Sequence, residues 1–175
     1  MKSSHSRFLL LSALVFFCLI AGCQQQPPDA ISRADARALG DLFLQAVNEG
    51  NLDLLDQIYL PDVVYHDPSM PESFQGLETL KAYFETMHTA FPDQKWTLDE
   101  MYIDGDRVFW IYSYTGTNTG PMGEIPATGK SVREVGVAVD RMSGGKIAEE
   151  WVYYDTLDLM TQLGMTLVPP APPKK

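Results

Sequence analysis

The chain has 175 residues and a formal net charge of −10, with 45% hydrophobic, 11% aromatic and 21% charged residues. So acidic a balance argues against binding to nucleic acid and against electrostatic docking on anionic lipid. Cys18 and Cys23 both lie ahead of the globular part, so no disulfide staples the fold and an apolar core has to hold it.

Lys2 and Arg7 precede an apolar run over residues 8–20, broken only by Ser12. The run is too short for a comfortable membrane span and has the length of a signal-peptide core. It ends Leu19-Ile20-Ala21-Gly22-Cys23, which resembles the lipobox of bacterial lipoproteins, small residues at the cut followed by an obligatory cysteine. The resemblance implies that residues 1–22 are a lipoprotein signal peptide and that Cys23 is lipidated and anchors the mature chain to a membrane. Gln24, where an aspartate would retain the protein at the inner membrane, implies an outer-membrane position facing the periplasm in a Gram-negative host. An ordinary secretory peptide and a retained anchor helix are the alternative readings. Cleavage would remove Lys2 and Arg7 and take the net charge from −10 to −12.

Residues 23–30 read as a polar, proline-bearing tether, residues 31–165 as one domain, and residues 166–175 as a Pro-rich, extended tail. The domain is about 140 residues long, enough for a sizeable core. Ser32 predicts an N-cap for a helix beginning at Ala34-Asp35, with Leu39, Leu42, Phe43, Ala46 and Val47 on one face and an end at Glu49-Gly50-Asn51. Residues 52–59 read as a short helix closed by Pro61, and residues 63–66 as a brief strand stopped by Asp67-Pro68. Residues 77–91 read as a helix whose buried face carries Leu80, Tyr83, Phe84 and Met87. Residues 96–103, 107–115, 132–142 and 146–154 then read as strands, rich in β-branched and aromatic side chains. Hairpin turns fall at Asp104-Gly105-Asp106 and Ser143-Gly144-Gly145, and residues 156–163 form a last helix. Helices followed by a long meander predict an α+β domain, a curved antiparallel sheet wrapped as a cone around the N-terminal helices and enclosing a cavity.

Gly129-Lys130-Ser131 superficially suggests a phosphate loop, but Glu124 stands where a glycine is required and a strand follows instead of a helix. With His66 and His88 far apart and no His/Cys cluster, no metal site is expected. His66 ends a strand beside a turn, where it is either a rim residue or an imidazole sharing a proton with a carboxylate. Asp155 ends the Trp151-Val152-Tyr153-Tyr154 strand. Alternation puts Trp151, Tyr153 and Asp155 on one face and Val152 and Tyr154 on the other. If the first set faces the cavity, Asp155 is desolvated and its pKa rises from the usual ~3.9 toward that of a working base. If it faces water, Asp155 caps the helix that starts at Thr156.

From about Asp35 to Gly164 the chain resembles the SnoaL-like polyketide cyclase (ester cyclase) family of the nuclear transport factor 2-like superfold. The residues that carry the resemblance are Tyr65-His66-Asp67-Pro68, Phe91-Pro92-Asp93, Gly116-Thr117-Asn118-Thr119-Gly120, Pro126-Ala127-Thr128-Gly129-Lys130, Gly145-Lys146-Ile147 through Glu150-Trp151 to Asp155, and Gln162-Leu163-Gly164. Cyclases of that family close rings by intramolecular aldol condensation without metal or cofactor, an aspartate removing a proton beside carbonyl groups. The resemblance implies that Asp155 is the counterpart of that aspartate, assisted by His66. It also implies no cofactor and a homodimer formed through the outer sheet. Trp110, Tyr112, Trp151 and Tyr153 are the expected walls of the pocket. Asn118, which stands where the family usually has histidine, is the expected neutral ligand contact.

Two functions remain open at this level. The first is a membrane-anchored binding module holding a small hydrophobic, carbonyl-type ligand without catalysis. The second is a cofactor-free acid/base enzyme, cyclase- or isomerase-like, that uses Asp155 as general base.

Overall fold

A computed structural model describes residues 29–168 of the chain. The signal peptide and lipidation expected at residues 1–23, most of the expected tether and residues 169–175 of the expected tail lie outside the described residues. Ser32 caps the first helix as its side chain dictates: its Oγ accepts from the Asp35 backbone N–H at 3.1 Å, and α1 runs Arg33–Glu49. Gly50, at φ 71°, ends it in the left-handed conformation that suits glycine.

The segment expected as one short helix divides differently. A single 3₁₀ turn, Leu52–Leu54, leads into α2, Leu55–Ile58, and Tyr59 already belongs to a strand. Strand β1 is Tyr59–His66 and contains Pro61. Its pairing slips between Tyr59 and Val64, so the irregularity falls where proline supplies no ladder donor. A two-residue strand, β2 (Phe74–Gln75), pairs with β1 and was not predicted. Helix α3 is Leu77–Ala90, and β3 (Lys95–Asp104), β4 (Arg107–Thr117), β5 (Ser131–Ser143) and β6 (Lys146–Tyr153) form the meander, followed by α4, Thr156–Gln162.

The strands make one six-stranded, curved open sheet in the order β2-β1-β6-β5-β4-β3. All neighbours are antiparallel except β1 and β6, which run parallel. The β5–β6 hairpin is closed by Gly144 and Gly145 at φ 57° and 81°, the positive pair that a tight two-residue turn demands. Helices α1 and α3 pack against one face of the sheet. At Gly40 the α1 backbone comes close to the sheet, where a Cβ would stand 2.7 Å from the Trp110 ring. Asn48 fastens the end of α1 to the edge strand: its side-chain amide donates to the Trp96 carbonyl at 3.1 Å and accepts from the Trp96 N–H at 2.8 Å. The core between these layers is built on Leu55, Ile58, Tyr59, Leu80, Phe84 and Phe91. Among the described residues no helix is long and apolar enough to cross a membrane.

Candidate functional site

The site follows from which side of each strand faces the helices. Along β5 the odd positions Arg133, Val135 and Val137 point outward, so Val132, Gly136, Ala138, Asp140 and Met142 point in. On the neighbouring strand the inward residues are Val108, Trp110, Tyr112 and Tyr114. Large rings lie opposite small residues: Trp110 pairs with Ala138, and Tyr112 with Gly136. A Cβ on Gly136 would fall 2.4 Å from the Tyr112 ring, so the bare glycine is what lets that ring lie flat on the sheet.

Between this face and the helices runs a narrow interior space in two lobes. The first has a volume of about 40 Å³ and is walled by Leu39, Phe43, Tyr65, Trp96, Trp110 and Tyr112, among others. The second, about 30 Å³, shares Tyr65, Trp96, Tyr112 and Val152 with it, so these four side chains form the partition. Each lobe has room for only a few water-sized groups as it stands.

Two acids are set into the first lobe. Asp140 and Glu150 are cross-strand partners on β5 and β6, 4% and 5% exposed. The Tyr59 hydroxyl donates to Glu150 Oε2 at 2.6 Å, and the Trp110 indole N–H donates to Asp140 Oδ2 at 2.9 Å. Asp140 Oδ1 is buried without a partner among the described residues. Burial pushes the Glu150 carboxyl up to about 7, against the pull of the Tyr59 hydrogen bond. Burial and the neighbouring Glu150 charge push Asp140 well above the usual carboxylate range, and the Trp110 bond only partly offsets this. Like charges this close resist joint ionisation, so the pair keeps a proton at neutral pH. Among the described residues no lysine or arginine lines either lobe. Among the described residues no three or more His, Cys, Asp and Glu side chains converge where a metal ion could sit.

In the second lobe Asp67 is a satisfied hub. Its carboxylate accepts from the Ser69 N–H and hydroxyl at 2.8 and 2.6 Å, from Tyr83 at 3.0 Å and from Tyr154 at 2.9 Å. Four donors on one carboxylate fix the two tyrosine rings as walls.

Of the residues expected at the site, Trp110 and Tyr112 line the cavity. The alternation expected on the last strand holds, but the inward set is Glu150, Val152 and Tyr154. Trp151, Tyr153 and Asp155 therefore lie on the other face, with Tyr153 57% exposed. Asp155 is solvent-exposed and is the N-cap of α4, its Oδ1 accepting from the Asp158 N–H at 2.9 Å. The desolvation that the catalytic reading of Asp155 requires is missing at that position. His66 is likewise part of an outer cluster. It bonds Glu149 at 2.9 Å and the Ser73 hydroxyl at 2.7 Å, and stacks on Trp151 with ring centroids 5.0 Å apart. The guanidinium of Arg107 covers the Trp151 ring at 5.0 Å.

Asn118 is fully buried away from both lobes and fastens two loops. It donates to the Ala90 and Gly120 carbonyls and accepts from the N–H and hydroxyl of Thr128. Sequence reasoning missed Tyr59, Asp140 and Glu150. The signal for Asp140 was present in β5, where Arg133 and Arg141 mark the odd positions as the wet face and leave the even-numbered acid inside.

The model of the family described as SnoaL-like polyketide cyclase matches residues 38–163. No curated protein matches the chain. Among solved structures, TsrD from Streptomyces laurentii is 28% identical with a TM-score of 0.70, over 77% of this chain and 98% of its own. A candidate polyketide cyclase from Acidithiobacillus ferrooxidans is also 28% identical, with a TM-score of 0.65, over 77% of this chain and 98% of its own. A Catenulispora acidiphila protein with a ketosteroid isomerase-like fold, 18% identical, has a TM-score of 0.63 over 75% of this chain and 97% of its own, and so shares the fold. A match that takes in most of α1, the whole sheet and all of α3 and α4 leaves one conclusion: the chain belongs to the SnoaL-like polyketide cyclase family.

Proposed function

We propose that this is a membrane-anchored SnoaL-like protein that takes a small, neutral, hydrophobic carbonyl compound into its interior and moves a proton on it without a cofactor, with Glu150 as the acceptor. The observation that carries the proposal is the Asp140–Glu150 pair. It sets two buried acids side by side in an aromatic cavity without countercharge, one of them pushed up to about 7. A base is most useful when its pKa lies near the working pH, and two neighbouring acids with unequal proton affinities divide the work. The Glu150 carboxylate would remove a proton from a carbon beside the carbonyl. Asp140, still protonated, would donate to the carbonyl oxygen as negative charge grows there. Tyr59 and Trp110 hold the two carboxyl groups in place.

The cavity's small volume means that uptake moves the half-buried wall residues Leu39, Phe43 and Trp96, which lie between α1 and β3. The lipobox-like Leu19-Ile20-Ala21-Gly22-Cys23 supports the anchor, and Cys23→Ser is expected to release the protein from the membrane fraction. Val135, Val137 and Tyr153, exposed together on the outer face of β5 and β6, support a homodimer through the sheet.

The test is hydrogen–deuterium exchange at the activated carbon of 1,3-diketones and cyclic enones in D₂O, read by proton NMR. The full chain is expected to speed exchange, and Glu150→Gln to slow it by roughly 10²-fold or more while ligand binding survives. Binding of these compounds with no exchange by the unmodified protein would leave a binding module and remove catalysis.

A further inference from the structure

The inner faces of β4 and β5 carry a second pair of polar groups that the proton-transfer reading does not use. Tyr114 and Glu134 are cross-strand partners, and both line the second lobe. Tyr114 is 3% exposed. Its hydroxyl and the Glu134 Oε1 are both closed off from solvent, and neither has a hydrogen-bond partner among the described residues. Buried polar atoms are almost always paired, because an unpaired one costs stability. A donor and an acceptor left open side by side in the same lobe are therefore set for a group that the protein itself does not supply.

We propose that the second lobe is a hydroxyl-recognition subsite, in which Tyr114 donates to, and Glu134 accepts from, a neutral hydroxyl group on the ligand. This rests on the reading that the interior takes a small hydrophobic ligand, and it adds what that ligand carries. A hydroxyl is one donor and one acceptor on a single atom, which matches one open acceptor beside one open donor. An anionic group does not fit, since Asp67 and Glu134 both face the lobe and, among the described residues, no lysine or arginine lines it. Burial and the charges of Asp67 and Asp158 push Glu134 up to about 7, so the side chain does not impose a full fixed charge on the subsite. Met87, Phe91, Trp96 and Leu159 provide walls for the ring or chain that bears the hydroxyl. With a volume of about 30 Å³ the lobe accepts the polar end, and the apolar body crosses the partition at Tyr112 and Val152 into the first lobe.

The experiment is a titration of the full chain with 2-naphthol and with naphthalene, read by quenching of tryptophan fluorescence. The unmodified protein is expected to bind 2-naphthol about tenfold more tightly or better, because a site built to bond a hydroxyl discriminates against the analogue lacking it. Tyr114→Phe and Glu134→Gln are each expected to bring the two affinities to within about twofold while naphthalene binding stays. Without ligand, Tyr114→Phe is expected to melt at the same temperature or higher, because the hydroxyl it removes has no partner to lose. Equal affinities in the unmodified protein, failure to bind either compound, or a preference that survives both substitutions overturns the subsite. A lower melting temperature for unliganded Tyr114→Phe also overturns it, by giving the hydroxyl a structural role. A hydroxyl preference without α-proton exchange supports the subsite while removing the catalytic role of Glu150.

Discussion

Tyr59 and Glu150 are 91 positions apart in the chain and joined by a 2.6 Å hydrogen bond inside the cavity. The bond ties the start of β1 to the inner face of β6, so it sets both the local fold and the proton affinity of the candidate base. The tyrosine hydroxyl favours the charged carboxylate and holds the Glu150 pKa below where burial alone would place it. Tyr59→Phe is therefore expected to move the Glu150 titration upward, read from its carboxyl band by infrared difference spectroscopy across pH. It should also cost about 1–3 kcal/mol of stability, because the carboxylate loses its buried partner. A downward or absent shift would show that Tyr59 does not control this acid.

Glu150 also makes a signed prediction about pH. Its folded-state pKa is raised from 4.5 to about 7, so the folded protein binds more protons than the unfolded chain between those values. Stability is fully present below about pH 4.5, falls as the pH rises through 7, and levels off above it. A shift of this size corresponds to roughly 3 kcal/mol at about 1.4 kcal/mol per unit. Asp140, raised by burial and by Glu150, acts in the same direction. Urea midpoints should be higher at pH 5.5 than at pH 8.5, and Glu150→Gln should narrow that gap. An unchanged gap in the variant would move the proton-binding site elsewhere.

Much of the fold can be read locally. Ser32 with Asp35, Gly50, and the Gly144-Gly145 turn act through their own backbone preferences, and the structure uses each of them as those preferences dictate. Of β1 only residues 63–66 could be read this way, because Pro61 argues against a strand ahead of them until the slip in pairing with β6 supplies a place for it. The site was half legible for a similar reason. A period of two on the last strand was correct, but the period does not say which face is wet. The aromatic residues Trp151 and Tyr153 favoured the wrong face. On the outer face Trp151 is covered by His66 and Arg107, from two distant places in the chain, and no local pattern announces it. Asn118 was likewise legible as a special position, yet its partners at Ala90, Gly120 and Thr128 make it a loop fastener instead of a ligand contact.

The cap at α4 separates a structural Asp155 from a catalytic one. Asp155→Ala removes the acceptor for the Asp158 N–H and is expected to cost about 1 kcal/mol. Asp155→Asn keeps a side-chain oxygen at the cap and should stay within a few tenths of a kcal/mol of the unmodified protein. Both variants are expected to retain α-proton exchange on carbonyl probes. Thermal melting together with the exchange assay checks this, and loss of exchange in Asp155→Asn with unchanged melting would restore the catalytic assignment.

Gly136 controls the partition between the two lobes. It sits opposite Tyr112, with the ring where a Cβ would stand 2.4 Å from the nearest ring atom. Strand propensity alone would reward replacing this glycine, since glycine is conformationally costly in a strand by roughly 0.5–1 kcal/mol relative to alanine. The contact reverses the sign. Tyr112 is 4% exposed and boxed in by Trp96 at a ring-centroid distance of 5.3 Å, so it has little space to retreat into. Gly136→Ala is expected to destabilise by about 1–3 kcal/mol, the usual cost of overpacking. Because Tyr112 walls both lobes, the variant should also lose affinity for a ligand that crosses the partition more than it loses affinity for one confined to the first lobe. Chemical denaturation gives the first quantity and paired titrations give the second. A variant as stable as the unmodified protein would mean that the Tyr112 ring moves freely and does not divide the cavity.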